Sequence, residues 1–263
     1  MSKNSFYNNS QDDEKNLDKI EGRNPILEHL RAGKDINRLF IQKGDRSGSI
    51  NEIIALAKDK GIVITEVEKT KMDKMSDTHH AQGVIAIVPP YEYSSVDDII
   101  EEARSKGEKP FIIILDGIED PHNLGSIIRT AECSGVHGII IPKRRSALVN
   151  STVNKTSAGA LEYMKVAMVT NLNETIRYLQ SKDIWIYGTD MEATSYYYEQ
   201  NYADSGVAII IGSEGFGMSK LVKENCDFLI KIPMTGHINS LNASVSAAIV
   251  MYEVMNQRGG AEE

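Results

Sequence analysis

A chain of 263 residues that is 41% hydrophobic and 25% charged has the apolar content for a sizeable core, expected as two domains, and is not a fibrous or low-complexity chain. Its apolar runs, such as FIIIL and VAIII, are strand-sized, which excludes a spanning helix, while two cysteines, Cys133 and Cys226, exclude a disulfide framework, stand in no metal-ligand spacing and point to a reducing cytoplasm. The net charge of −8 argues against general affinity for nucleic acid, yet residues 1–91 hold 14 basic against 14 acidic residues and residues 92–263 hold 15 against 23, so RNA binding would rest on local patches, the best being Lys143, Arg144 and Arg145.

Residues 1–17 carry no basic-then-apolar leader pattern and read as a disordered tail. A first unit is expected over 18–91. EGRNPILEHLRAG predicts a turn and then a helix through Ile26, Leu27 and Leu30, stopped at Gly33. INRLFIQ predicts a strand, INEIIALAKDKG a helix, GIVITEV a strand, and GVIAIVPP a last strand broken by two prolines. This is a small α/β module. Residues 92–108, charged and polar apart from one short amphipathic helix, read as a linker.

The second unit, 109–258, opens with PFIIILDG, an apolar run suited to a parallel strand buried on both faces. Helical and strand patterns then alternate to the end of the chain, which implies a parallel sheet with helices on both faces. The last helix is expected to carry Val245, Ala248, Ile249, Tyr252 and Met255 as its apolar stripe. Ligands of such sheets sit beyond the C-terminal ends of strands. Those ends carry three loops rich in glycine, amides and acids.

In the first loop, DGIEDPHNLGSIIRTAECSG, Asp120-Pro121 forces an extended entry, Asn123 is expected to cap the following helix, and Arg129 lies between apolar neighbours. In the second, IIIGSEGFGMS, three glycines around Ser213, Glu214 and Phe216 let the backbone approach a ligand. No Gly-Lys-Ser/Thr follows, and the order G-x-x-G-x-G reverses the dinucleotide fingerprint, which argues against a P-loop or a Rossmann dehydrogenase. In the third, IPMTGHINSLNASVSAAIV, Ser240, Asn242 and Ser244 offer hydroxyls, amides and helix-start N–H groups to a polar ligand.

Taken together and in order, these loops resemble motifs one, two and three of the SpoU class of RNA ribose 2′-O-methyltransferases. The resemblance covers residues 110–257, and the first unit is similar to the substrate-binding domain that many members carry. Within the class the chain is most similar to the 23S rRNA guanosine-2′-O-methyltransferase group. The resemblance implies a SPOUT parallel-sheet domain whose C-terminal chain forms a deep trefoil knot, preceded by a small α/β RNA-binding domain. It implies S-adenosylmethionine as cofactor, held by backbone at Gly212, Ile232 and Leu241, with no metal. It assigns catalysis to Asn123, Arg129, Glu214, Ser240 and Asn242. It implies an RNA substrate, a homodimer with a shared active site, and no membrane. Arg129 is expected as an electrostatic clamp rather than a base, because a guanidinium stays protonated, with Asn123 and Ser240 positioning the ribose. Arg23, Asn24, Arg31, Lys34 and Arg38 are candidate RNA contacts of the first unit. The alternatives are tRNA or another rRNA nucleotide as substrate, or a non-catalytic RNA-binding protein.

Overall fold

The structure, a computed structural model, describes residues 18–44, 48–237 and 240–259, so the expected tail at 1–17 and Asn239 lie outside it. Its contacts fall into two units, each with its own core. No helix among the described residues is long and apolar enough to cross a membrane.

Unit 1 is a four-stranded sheet in the order β1-β4-β2-β3, formed by β1 (Asp18–Glu21), β2 (Arg38–Gln42), β3 (Ile64–Val67) and β4 (Val84–Val88). Helices α1 (Arg23–Arg31) and α2 (Ile50–Asp59) pack on it through Ile26, Leu27, Leu30, Ile50 and Ile53. The predicted strands and helices are present. The sheet also gains β1, whose sequence, DKIE, has too few apolar residues to announce a strand, and α3 (Lys69–Met75), which buries only Met72. β4 runs antiparallel to both neighbours, while β2 and β3 are parallel.

Two departures from the expected domain layout have clear physical causes. Residues Val149–Glu162 belong to unit 1 although they follow the first strands of the second domain in sequence. They form α6 (Ser151–Thr156) and a 3-10 turn that ends at Glu162, whose side chain is 3% exposed and lies 2.9 Å from His29 Nδ1. Lys34 Nζ stands 2.9 Å from the other carboxylate oxygen, an ion pair that falls short of hydrogen-bond alignment. The 92–108 segment carries the expected short amphipathic helix, α4 (Val96–Ser105), but from Tyr93 onward it belongs to unit 2 and is not a linker. A reciprocal cap between Ser95 and Asp98 starts this helix, and Ile99, Ile100 and Ala103 bury one face in the unit 2 core.

Two buried carboxylates give unit 1 a pH dependence. Glu21 accepts hydrogen bonds from Ser76 Oγ (2.6 Å), Asp77 N (2.6 Å) and Thr78. Burial alone would raise both the Glu21 and the Glu162 carboxyl. The hydroxyl and backbone donors at Glu21, and the His29 hydrogen bond with the nearby Lys34 charge at Glu162, outweigh it and hold both below the ordinary value of 4.5. A depressed folded-state pKa contributes stability above the unfolded value that is lost as pH falls through the folded one. Melting temperature should therefore drop below about pH 4.5, and Glu21→Gln or Glu162→Gln should flatten that slope. Glu162→Ala, which strands His29 and Lys34, should cost about 3 kcal/mol at neutral pH. A melting temperature unmoved by Glu162→Ala would show that the 149–162 segment is not anchored through this carboxylate.

Unit 2 holds a seven-stranded sheet in the order β7-β6-β5-β10-β8-β11-β9. The strands are β5 (Phe111–Asp116), β6 (Gly138–Pro142), β7 (Lys165–Val169), β8 (Ile184–Thr189), β9 (Ser195–Tyr196), β10 (Gly206–Gly212) and β11 (Phe228–Lys231). All these pairings are parallel, and β5 and β10 are buried along nearly their whole length, as their unbroken apolar runs predict. Alternate residues serve opposite faces. Ile112, Ile114, Ala208 and Ile210 pack with α4 and α7 (Leu172–Gln180), while α5 (Pro121–Cys133) and α9 (Ala243–Gln257) contact β6 and β10 respectively. The chain moves outward through β6 and β7 and then returns to the other side of β5, which makes the β5/β10 junction a switch point. Asp116 and Gly212 are register partners there, so the first two loops leave the sheet side by side.

The stripe predicted for the last helix lies on the wrong face. α9 buries Ala247, Val250, Met251 and Val254, at i, i+3, i+4 and i+7, whereas Val245 and Tyr252 are 45% and 47% exposed. Both sides of α9 are apolar, so periodicity alone could not choose between them.

Candidate active site

α5 begins one residue after Asp120, whose carboxylate caps it by accepting from His122 N at 2.9 Å, with Pro121 in the first turn. Asn123, expected as the cap, is therefore the third helical residue, and its side chain is spared for another task. Its Nδ2 donates to Glu214 Oε1 at 3.1 Å. The same oxygen accepts from Asn242 Nδ2 at 2.7 Å and from Ala243 N at 3.2 Å. Asn242 Nδ2 also reaches Asn123 Oδ1 at 2.9 Å, and Asn242 Oδ1 caps α9 by accepting from Ser244 N at 2.9 Å. One carboxylate oxygen thus joins all three loops.

The Glu214 loop is built to present that carboxylate. Ser213 and Gly217 exchange two backbone hydrogen bonds, at 3.0 and 2.9 Å, which closes a short turn. Gly215 and Gly217 take left-handed φ values of 84° and 66° inside it. At its foot Asp116 Oδ2 accepts from Ser219 N at 2.7 Å, tying the turn back to β5. Gly212 is required for a different reason. A Cβ there would stand 2.4 Å from both Gly217 C and Met218 N, so only a bare backbone lets the returning chain pass. Gly212→Ala must push that chain away and should cost about 1–3 kcal/mol. An unchanged melting temperature would mean that the turn is not held against β10.

Two clefts flank the turn, and Glu214 lines both. The larger, about 670 Å³, is walled by Gly212, Ile232, Ser240 and Leu241. The smaller, about 530 Å³, is walled by Asp116, Gly117, Asn123 and Arg145. Of the eight residues singled out from sequence, Gly212, Glu214, Ile232, Ser240 and Leu241 meet at the larger cleft, and Asn123 and Asn242 reach Glu214 by hydrogen bonds. Arg129 does not join them. It is exposed on α5 and lines neither cleft. Asp116 was not singled out from sequence, although it ends a predicted strand beside a loop, and Phe216 was named only for the glycines around it.

The candidate RNA contacts of unit 1 are partly committed elsewhere. Arg31 bridges Glu28 and Glu52, each at 2.8 Å, Lys34 pairs with Glu162, and Arg23 Nε donates to Gln82 O at 3.0 Å. Arg38 is exposed at the start of β2.

Comparison with known proteins places this geometry. The SpoU rRNA Methylase family matches residues 110–252, and the domain described as RNA 2′-O ribose methyltransferase substrate binding matches residues 19–94. A Staphylococcus saprophyticus protein that bears the name TrmH family tRNA/rRNA methyltransferase is 49% identical over 239 residues, covering 91% of this chain and 95% of its own. Among solved structures, an RNA 2′-O ribose methyltransferase superposes with a TM-score of 0.76 at 25% identity, covering 94% of this chain and 90% of that one. The SpoU methyltransferase AviRb from Streptomyces viridochromogenes, in complex with AdoMet, has the same fold, with a TM-score of 0.77 at 22% identity over 96% and 94% of the two chains. With three motifs converging on one carboxylate and both family domains matched in order, the chain belongs to the SpoU family of RNA methyltransferases.

Proposed function

We propose that the chain methylates a ribose 2′-hydroxyl of RNA with S-adenosylmethionine, that the target is a guanosine of 23S rRNA, and that it works in the cytoplasm as a homodimer. The observation that carries this reading is the Glu214 oxygen that gathers Asn123, Asn242 and Ala243 between two clefts. A tRNA ribose is the second reading, because the name of the 49% identical relative includes tRNA.

The larger cleft fits the cofactor. Its volume lies within the range of roughly 300–1,000 Å³ usual for small-molecule sites. Gly212 gives it a wall of bare backbone, and Ile232 and Leu241 face it from the third loop. Gly212, Ile232 and Leu241 would hold the adenosine by main-chain groups, on limbs we take to form the trefoil knot. When bound, S-adenosylmethionine supplies an electrophilic methyl group. The protein's tasks are to orient the ribose, keep competing water away and stabilise the alkoxide as the hydroxyl loses its proton. Ser240, exposed at the larger cleft, positions the ribose together with Asn123. Glu214 and Asn242 fix the loops around it. Arg129 clamps the developing negative charge and the neighbouring phosphate.

The apolar outer face of α9 supports the homodimer, since exposed Val245 and Tyr252 sit on a helix that packs against α5, the helix that carries Arg129. Mass spectrometry of nuclease-digested RNA from a strain lacking the gene tests the whole reading. The expected result is one 2′-O-methylguanosine missing from 23S rRNA. Loss from tRNA would favour the second reading, and an unchanged set of ribose methyls would overturn both.

A further inference from the structure

Phe216 is 95% exposed, more than any other large apolar residue recorded in the fold, and it sits in the wall between the two clefts. Its position is not accidental looseness. The turn that carries it is closed by the Ser213–Gly217 backbone pair and again by Ser213 Oγ, which donates to Gly217 O at 3.2 Å. A benzyl group held in water on a braced turn forgoes the burial free energy that an apolar contact would supply. A ring presented this way has a use for its face.

The geometry points to Phe216 as the residue that stacks on the nucleobase of the methylated nucleotide, in the smaller cleft. This rests on the ribose-methyltransferase reading and goes beyond it. Three observations place the nucleotide there rather than elsewhere. The larger cleft is the one whose walls are the backbone of Gly212 and the third loop, which suits the cofactor. The smaller cleft brings Asn123 and Arg145 to the same space as Phe216. Arg145 ends the Lys143-Arg144-Arg145 run, is exposed, and is held at a left-handed φ of 57°, a cation placed for a phosphate. A flat apolar ring on one side and a guanidinium on another is how proteins hold an unpaired base and its backbone. Stacking accepts any base, so Phe216 contributes affinity for a splayed nucleotide, while the choice of guanosine must come from edge contacts.

The test uses the full-length protein, tritiated S-adenosylmethionine and total RNA from a strain lacking the gene. Phe216→Ala and Phe216→Leu should raise KM for RNA by about 5- to 150-fold, the worth of one base stack, with kcat little changed. Phe216→Trp should restore the wild-type KM. Arg145→Ala should also raise KM but flatten its salt dependence, which the Phe216 variants leave alone. Because Phe216 borders both clefts, calorimetric titration with S-adenosylmethionine alone decides which one the ring serves, and wild-type cofactor affinity in every Phe216 variant is the expected result. A Phe216→Leu enzyme as good as wild type, or cofactor affinity that falls in step with the RNA KM, overturns the proposal. The ring's exposure means that melting temperatures should not move, so lost activity cannot be put down to misfolding. A wild-type protein that transfers no label to RNA would instead sink the methyltransferase reading itself.

Discussion

Arg129→Ala will slow RNA methylation by about 10²–10³-fold, or ~3–4 kcal/mol of barrier, without weakening the binding of S-adenosylmethionine. In the proposed role the residue is a fixed positive charge rather than a base, so its loss should remove charge stabilisation and leave the cofactor site intact. Within the chain it is exposed on α5, forms no ion pair among the described residues and lines neither cleft. α5 and α9 pack against each other, and the outer face of α9 presents Val245 and Tyr252. The homodimer proposed above would complete each site with Arg129 from the other copy. Subunit mixing tests that. Homodimers of Arg129→Ala and of Glu214→Ala should each be nearly inactive, and exchanging their subunits should recover roughly a quarter of wild-type activity, since half the dimers then hold one intact site. No recovery after exchange verified by native mass spectrometry would put Arg129 and Glu214 of one chain in one site. Arg129→Lys refines the picture: a point charge should keep part of the rate, whereas a two-pronged guanidinium contact should not survive the change.

The fold was legible wherever burial dictated the pattern. FIIIL and VAIII could only be strands buried on both faces, and they are the two central strands β5 and β10. The site was legible because loops at strand ends need small and polar residues if backbone is to approach a ligand; at Gly212 the absent side chain serves the fold itself, letting Gly217 and Met218 pass close by. What sequence could not show were contacts set by partners remote along the chain. Glu162 looks like any surface glutamate until His29, 133 residues away, is beside it. Asn123 was read as a cap because helix caps are local, yet Asp120 had the better position and Asn123 was left for Glu214. The 92–108 segment looked like a linker because its charge outweighed three buried residues, Ile99, Ile100 and Ala103. In the last helix periodicity found the helix but not its buried face, since both of its faces are apolar.

Glu214→Ala should be as damaging as any single change in the protein, with methylation falling by about 10³-fold, the upper end for removing one fixed charged group. The reason is topological as much as electrostatic. Asn123 Nδ2, Asn242 Nδ2 and Ala243 N all converge on Oε1, from two loops that are far apart in sequence. Without the acceptor, the first turn of α9 keeps its Asn242 cap but loses its tie to the second loop. Hydrogen exchange should then quicken at residues 213–217 and around Ala243, while β5 and β10 stay protected. Glu214→Gln separates the two contributions. Its carbonyl oxygen can still accept from the three donors, so a purely positional role predicts a rate near wild type with slow exchange preserved. A charge needed beside the reacting hydroxyl predicts a glutamine variant as slow as alanine but with its loops still protected. Activity of Glu214→Ala within tenfold of wild type would mean that the three loops do not depend on this carboxylate to assemble.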